Sequence, residues 1–582
     1  DSVVGLPNHL QWIGAPKYAR SHEQLASVSA MVSAKGRLFY IADLGQTADI
    51  RLPARWKLIA RDAFNGMVLW TRTIGNWSNH LHSFRAGPPD LPFRLVAVGD
   101  RVYVSLDQPK PIHALDAVTG ETLLTYKGTE NARQIMHVGD RLVMLTGTSQ
   151  VDIQRELRGI ASAKRSITAA NPETGAVLWR KAVGKDALLP VVASGGSLLY
   201  QTKALLVCLD LATGREKWRT AHPLALPKPK SKDWNWVTPT LTAKNGIVYV
   251  SDLKSLSAIS VKDGKTLWGC SSKAGFCSSP DTFLIDGLLW RGYTGKRGAA
   301  DFGQGLNMAT GELEREFDTQ KAWDFATLAH YRCYKPKATS NFILSSRSGV
   351  EFIDVVSGEI RNNFWLRGTC QYGVLPCNGL LYAPPHSCAC NIKTMMRGLC
   401  VFSAKQALSG NPAAKKDRFE RGPAFGAIGE AGLPHAEDWP VFRHDNERSG
   451  KASTRVPHEL RQVWKTTLGG KLTAPVVARG RIYISETDAH TVHALNATSG
   501  NSIWSYTANG RIDSPPTVHN NTVLFGSADG WVYCLREEDG ALVWRYRGAP
   551  EERAIVVRGQ LESAWPIHGS VLVENDVAVV AA

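Results

Sequence analysis

The sequence between residues 471 and 546 contains one pattern written twice, and the two copies are offset by 40 residues, from Gly500 to Gly540. Each copy has short alternating apolar runs joined by polar turns, and each ends in a glycine turn followed by Trp504 or Trp544. Apolar alternation with a period of two predicts β-strands, and a repeat of this length predicts four-stranded blades. The pattern therefore predicts an all-β propeller.

The last element of each repeat is an eleven-residue unit with a small first residue, glycine at the seventh place and Trp at the end. Glycine supplies the positive φ that the turn requires, and the small residue leaves room for an indole to dock. The unit recurs with its Trp at Ala60…Gly66…Trp70, Ala169…Gly175…Trp179, Cys208…Gly214…Trp218 and Ala258…Gly264…Trp268. Copies without Trp are Ala114…Gly120…Leu124, Gly305…Gly311…Arg315 and Phe352…Gly358…Asn362.

This unit resembles the tryptophan-docking repeat of the pyrroloquinoline-quinone (PQQ) type β-propellers. Residues 27–40, 95–104, 379–390 and 561–573 are also similar to large PQQ-like repeat proteins of planctomycete bacteria. The resemblance implies a propeller fold, and it covers the repeats rather than a catalytic centre.

The number and spacing of the units predict the domain organisation. Eight repeat ends precede residue 404, the eighth of them without its turn, and two follow. Because propellers close with four to eight blades, we predict an eight-bladed propeller of four-stranded antiparallel blades over residues 1–403. A connector over 404–437 and the first blades of a second propeller over 438–582 would follow. We expect another protein chain, or a continuation of the same polypeptide, to complete the blade that begins at Trp565.

Charge and hydropathy limit the choice of partners and compartment. The formal net charge is +16, but Lys and Arg are scattered along turns, so we predict no nucleic-acid partner. No apolar run reaches the length of a membrane helix, so we predict no transmembrane segment. Residue 1 is Asp, and we expect a mature chain of an exported bacterial protein, periplasmic or secreted.

The cysteines fall into three groups. Cys208 and Cys534 stand at the small position of the docking unit, and with Cys400 they are predicted to be buried core residues. Cys270 and Cys277 flank a predicted hairpin and could form a disulfide or remain free thiols.

The third group lies within 58 residues and consists of Cys333, Cys370, Cys377, Cys388 and Cys390 together with His386. A metal centre is one interpretation, because thiolate and imidazole ligands favour copper or zinc; its ligands would be Cys333, Cys370, His386, Cys388 and Cys390. Disulfides within an exported protein are the other interpretation, and we favour them.

Aromatic residues at the start of inner strands are the candidates for a ligand platform. Trp236, Trp565 and His568 could line the central channel and bind a cofactor, although core packing would also explain each of them. In PQQ enzymes the resemblance implies two adjacent cysteines beneath the quinone, whereas Ala389 separates Cys388 from Cys390, so PQQ is not expected.

The sequence supports two functions. The first is an exported propeller that acts as a binding or assembly scaffold in a multi-chain complex. The alternative is an oxidoreductase with a copper, zinc or quinone centre near the channel. Fold alone does not choose between them.

Overall fold

The computed structural model describes residues 1–17, 28–49, 52–78, 90–147, 165–184, 188–225, 239–272, 281–292, 302–318, 335–345, 349–369, 372–385, 396–404, 418–429 and 435–581. The chain divides into two compact units, Asp1–Lys405 and Gln406–Ala582. Over these ranges the regular elements are β-strands apart from one 3-10 helix, Leu91–Arg94, so the predicted all-β propeller class is confirmed. No helix in them is both long enough and apolar enough to cross a membrane.

Seven sheets of unit 1 each consist of four consecutive antiparallel strands, numbered here as blades 1 to 7. Blades 1 to 3 consist of Val28–Ala34, Arg37–Asp43, Trp56–Asp62 and Val68–Thr73; Leu95–Val98, Arg101–Ser105, Ile112–Asp116 and Thr122–Tyr126; Ala132–Val138, Arg141–Thr146, Ser166–Ala170 and Val177–Ala182. Blades 4 and 5 consist of Leu188–Ser194, Ser197–Gln201, Leu205–Asp210 and Glu216–Ala221; Thr240–Lys244, Ile247–Ser251, Ser255–Ser260 and Thr266–Ser271. Blades 6 and 7 consist of Thr282–Ile285, Leu288–Arg291, Gln304–Asn307 and Leu313–Glu316; Lys337–Ala338, Phe342–Ser345, Val350–Asp354 and Ile360–Asn363.

One further sheet of unit 1, the closing blade, joins the two ends of the unit. Its first three strands are Leu375–Cys377, Leu380–Ala383 and Leu399–Ser403, and the strand that pairs next to Leu399–Ser403 is His9–Gly14 from the N-terminal end. The sequence predicted here a blade that had lost its turn, and the structure shows that its fourth strand comes from the start of the chain. Because parts of unit 1 lie outside the described ranges, the total of eight blades and the three-part domain division stay predictions.

The first strands of the blades lie next to one another. Contacts join the first strands of blades 1 to 6 in succession, and those of blade 7, the closing blade and blade 1. The apolar core lies between neighbouring sheets: Phe39 and Leu58 of blade 1 pack in one cluster with Leu95 and Leu115 of blade 2. Inner strands such as Arg37–Asp43 are buried on both faces, whereas outermost strands such as Val68–Thr73 expose alternate residues, which explains their period of two.

Unit 2 contains two larger sheets and two hairpins. One sheet consists of Val476–Ala478, Arg481–Glu486, Thr491–Asn496 and Ser502–Thr507; the other consists of Thr517–His519, Thr522–Gly526, Trp531–Arg536, Leu542–Arg547 and, at its outer edge, Phe419–Arg421. The hairpins are Ala554–Val557 with Gln560–Ser563, and His568–Glu574 with Val577–Ala581. A strand thus lies inside the predicted connector, because Phe419–Arg421 pairs with the last strand of a blade.

The glycine turns show why the docking unit has its composition. Gly120 has φ of +77°, and a Cβ atom added there would lie 2.6 Å from the ring of Trp70 in the preceding blade. The indole Nε1 of Trp70 donates a hydrogen bond of 3.1 Å to the carbonyl of Ala117 in the same turn. Equivalent bonds run from Trp12 to Ala63, Trp179 to Leu211, Trp218 to Val261, Trp268 to Met308, Trp464 to Ala497 and Trp504 to Glu537.

Where the sequence lacks the docking Trp, other side chains make the same contact. The Tyr126 hydroxyl donates to the carbonyl of Pro172 at 2.6 Å, and Arg315 Nη1 donates to the carbonyl of Val355 at 2.6 Å. Each acceptor stands three residues before the turn glycine, as Ala117 does. Two of the three copies without Trp therefore keep the link to the next blade.

Candidate functional site

Five side chains from four places in unit 1 meet where the first strands begin. Lys335 and Lys337 belong to the start of blade 7, Asp281 precedes blade 6, Phe93 lies in the 3-10 helix before blade 2, and Tyr372 precedes the closing blade. Lys335 Nζ lies 5.9 Å from the ring centroid of Phe93, and Lys337 Nζ lies 5.0 Å from that of Tyr372. We name these five residues the axial cluster.

Positive charge exceeds negative charge in the axial cluster. Burial, together with repulsion from Lys335, lowers the pKa of Lys337 to about 8, although the charge of Asp281 acts in the opposite direction. Burial raises the pKa of Asp281, and the charges of both lysines oppose that rise. Neither lysine forms a salt bridge with any residue that the structure describes. The cluster therefore holds two cations close together with one partly compensating carboxyl group.

A buried ionic triad holds the 3-10 helix that carries Phe93 of the axial cluster. Asp90 Oδ2 accepts hydrogen bonds from Nε of Arg94 at 3.0 Å and from Nε of Arg133 at 2.8 Å, and all three residues are almost fully buried. Burial alone would raise the pKa of Asp90, but the charges of Arg133 and Arg94 outweigh it and hold that pKa well below its usual range. Since Arg94 ends the helix that carries Phe93, the triad fixes one wall of the cluster.

Two of the predicted ligand residues, Trp565 and His568, lie in unit 2. Trp565 is half-buried, and its backbone N–H donates to Oγ of Ser563 at 3.1 Å. His568 Nδ1 lies 2.7 Å from Oδ2 of Asp513. The hydrogen bond to Asp513 raises the pKa of His568 more than burial lowers it. Binding of a cofactor by these residues stays a prediction.

The other predicted ligand residues fall outside the described ranges. These are Trp236, Cys333, Cys370, His386, Cys388 and Cys390. The copper or zinc centre, the alternative disulfides and the oxidoreductase function that depends on such a centre therefore stay predictions. Among the residues that the structure describes, no group of three or more His, Cys, Asp or Glu side chains is placed to hold a metal ion.

The remaining cysteines are structural. Cys208, Cys400 and Cys534 are buried, which confirms the prediction that they belong to the core. Cys270 has a free thiol whose sulfur accepts a hydrogen bond from Arg291 Nη1 at 3.4 Å, while Cys277 lies outside the described residues. Burial raises the pKa of the Cys377 thiol to about 12, so this cysteine stays protonated at neutral pH.

A second candidate site is an apolar surface on blades 1 to 3. Its side chains lie on the outermost strands and on the turns before them, and each is 44% to 56% exposed: Phe64, Met67, Val68, Leu69, Val118, Leu123, Val177 and Leu178. We name this surface the rim patch. In blade 4 the corresponding strand carries Glu216, Lys217 and Arg219 instead, so charged residues separate the rim patch from the exposed leucines of blades 5 and 6, Leu267 and Leu313.

The sequence did not predict either surface. The axial cluster comes from residues that are far apart in the chain and share no spacing, and the rim patch consists of residues that ordinary strand alternation would also supply. One signal for the rim patch was available, because Leu69, Leu123 and Leu178 all stand immediately before the last residue of a docking unit.

Comparison with known proteins agrees with the fold. The family described as "Outer membrane protein assembly factor BamB" matches residues 163–313 and 457–581. The curated protein of that name from Burkholderia pseudomallei is 34% identical over 86 residues, which are 15% of this chain and 22% of that protein. The one from Yersinia pestis is 30% identical over 154 residues, 24% of this chain and 38% of that protein. The chain thus spans less than two fifths of the length of these relatives.

Solved structures show a looser likeness. The crystal structure of BamB from Moraxella catarrhalis has a TM-score of 0.28 at 14% identity, covering 78% of this chain and 95% of that one. A quinohemoprotein alcohol dehydrogenase from Comamonas testosteroni has a TM-score of 0.30 at 11% identity, covering 97% and 70%. Scores of this size carry no argument about function. The docking units, the four-stranded blades and the two matched segments together identify the chain as a PQQ-like β-propeller protein.

Proposed function

We propose that this chain is an exported scaffold that binds another protein and holds it in a multi-chain complex. The observation that supports the proposal is the rim patch, where eight apolar side chains are exposed on three neighbouring blades. Large exposed apolar patches mark sites of protein–protein contact. The docking bonds bring the patch together, because Trp70 of blade 1 reaches the turn of blade 2 that carries Val118.

The strands beneath the rim patch favour an extended partner segment. Val68–Thr73, Thr122–Tyr126 and Val177–Ala182 are each the last strand of a sheet, and no strand in the described part of the chain pairs with their outer edges. Such an edge offers backbone N–H and C=O groups to an incoming strand, and the exposed side chains offer it apolar contacts. We therefore propose a partner that presents an apolar, extended segment.

The relatives support the same class of partner. Their name describes assembly factors for outer membrane proteins. We propose that this chain is exported, and that its partner is an exported protein. Fractionation of the producing cells tests the first statement: we expect the chain in the periplasm or the medium, and recovery in the cytoplasmic fraction alone would contradict it.

Site-specific photo-crosslinking tests the rim patch. A photoreactive residue replaces Leu69, Leu123 or Leu178 in the full chain, expressed in the producing bacterium. The matched control is Leu267, which stands before docking residue Trp268 and is 48% exposed but lies in blade 5. We expect the same partner to be captured from the three rim positions and not from the control. Equal capture at residue 267 would show that the rim patch is not the binding site.

Charge substitution gives an independent test with the identified partner. Leu123→Lys combined with Leu178→Lys places two charges in the proposed contact, and we expect the Kd to rise at least about tenfold, the effect of roughly 1.4 kcal/mol. Leu267→Lys serves as the control and should leave the Kd unchanged. Because all three leucines are exposed, the melting temperature of each variant should stay within about 2 °C of that of the natural chain.

A further inference from the structure

We propose that the axial cluster of unit 1 binds a small, doubly charged oxyanion, such as phosphate or a dicarboxylate, between Lys335 and Lys337. This site is separate from the rim patch, and it does not depend on the scaffold function proposed above.

The axial cluster carries more positive than negative charge. Lys335 and Lys337 repel each other, and among the residues that the structure describes neither forms a salt bridge. Two like charges in a partly buried place are unfavourable unless an opposite charge joins them. Asp281 supplies a single carboxyl group, and its own burial disfavours ionisation. A dianion would complete the balance.

The ionic triad shows what a saturated site in the same region looks like. There, Arg94 and Arg133 also bring two cations together, but Asp90 lies between them and accepts hydrogen bonds from both. The positive charge of the triad is thus already paired inside the protein. No described residue has that role between the two lysines of the axial cluster, and this difference distinguishes a structural ion group from a binding site.

The side chains of the axial cluster are also held in place before any anion binds. Each ammonium group lies within 6 Å of an aromatic ring centroid, the arrangement in which the ring attracts a cation. The Tyr372 ring is fixed because its hydroxyl donates a hydrogen bond of 2.6 Å to the carbonyl of Met31. A site whose donors are already held loses less entropy when an anion binds.

Calorimetric titration of the full chain at pH 7 and low ionic strength tests the proposal, with inorganic phosphate and malonate as separate probes. The variants are Lys335→Met and Lys337→Met, which keep the length of the side chain and remove its charge. Lys265→Met is the control, since Lys265 is 80% exposed and lies on the turn of blade 5. We expect the Kd for the bound anion to rise at least roughly tenfold in either axial variant and to stay unchanged in the control.

Thermal unfolding without added anion shows whether a variant that has lost binding is still folded. Removal of one of two repelling charges should leave the melting temperature of each axial variant equal to or above that of the natural chain, whereas a folding defect would lower it. Binding of malonate but not phosphate would assign a dicarboxylate ligand, and the reverse would assign a phosphate. If neither anion binds up to about 10 mM, or if both bind the axial variants as tightly as the natural chain, the proposal is wrong.

Discussion

At the scale of single residues, the Asp90 carboxylate compensates two buried positive charges, those of Arg94 and Arg133. Asp90→Asn leaves the guanidinium groups of Arg94 and Arg133 buried beside a neutral amide, so we expect the free energy of unfolding of unit 1 to fall by about 3–5 kcal/mol. Urea unfolding followed by tryptophan fluorescence measures this loss. Asp100→Asn is the control, because Asp100 pairs with Lys35 and Arg37 at a half-exposed position, and we expect a much smaller loss there.

The pair of His568 and Asp513 gives a prediction about pH. Because the pKa of His568 is raised above its usual 6.5, the pair contributes stability that is fully present below that value and is lost as the pH rises through the raised pKa. We expect Asp513→Asn to lower the pKa of His568, measured by NMR titration of its ring protons in the full chain. Asp576→Asn removes the carboxylate beside His519 instead and should leave the His568 titration unchanged. An unshifted His568 in Asp513→Asn would refute the assignment.

At the scale of elements, the docked turn is the unit of assembly. Gly120→Ala combines two penalties, a clash with Trp70 and a left-handed backbone, and we expect a loss of unfolding free energy of about 2–4 kcal/mol. Gly139→Ala isolates the backbone term, because Gly139 has φ of +59° and nothing lies within 4 Å of the added Cβ; its loss should be about 1 kcal/mol. Chemical denaturation compares the two. Equal losses would show that the indole makes no difference.

The same element shows what a sequence can reveal about this fold. Residues such as Gly120 and Trp504 were predictable because their roles are local: a positive φ and an indole of constant spacing leave a readable pattern. Trp12 makes the same hydrogen bond, but no glycine turn precedes it in the sequence, so it does not belong to a recognisable docking unit. The axial cluster was not predictable for a related reason. Lys335 and Phe93 meet only because their blades surround one axis. The sequence of neither segment shows that the other segment is near.

At the scale of the whole molecule, the closing blade decides whether unit 1 holds together. Trp12→Ala removes a fully buried indole and its hydrogen bond of 2.9 Å to Ala63, and we expect the unfolding free energy to fall by about 3–5 kcal/mol. Hydrogen exchange should quicken first in His9–Gly14 and Leu399–Ser403. Trp218→Ala in blade 4 removes a half-buried docking indole and is the control. Faster exchange of the closing blade in both variants would contradict a specific role of Trp12 in holding that blade together.

The pairing that closes unit 1 also affects the order in which its blades form during synthesis. His9 pairs with Ser403, a separation of 403 − 9 = 394 residues, whereas the strands within blades 1 to 7 pair with near neighbours in the chain. Bringing such distant segments together costs roughly 5 kcal/mol of chain entropy, and at ribosomal speeds of roughly 5–20 residues per second the later strand is made some 20–80 s after the earlier one. During that interval His9–Gly14 lacks Leu399–Ser403, the strand with which it pairs in the closing blade. Blades 1 to 7 can form as they are synthesised, so we expect unit 1 to close last, through a strand that precedes all of them in the chain.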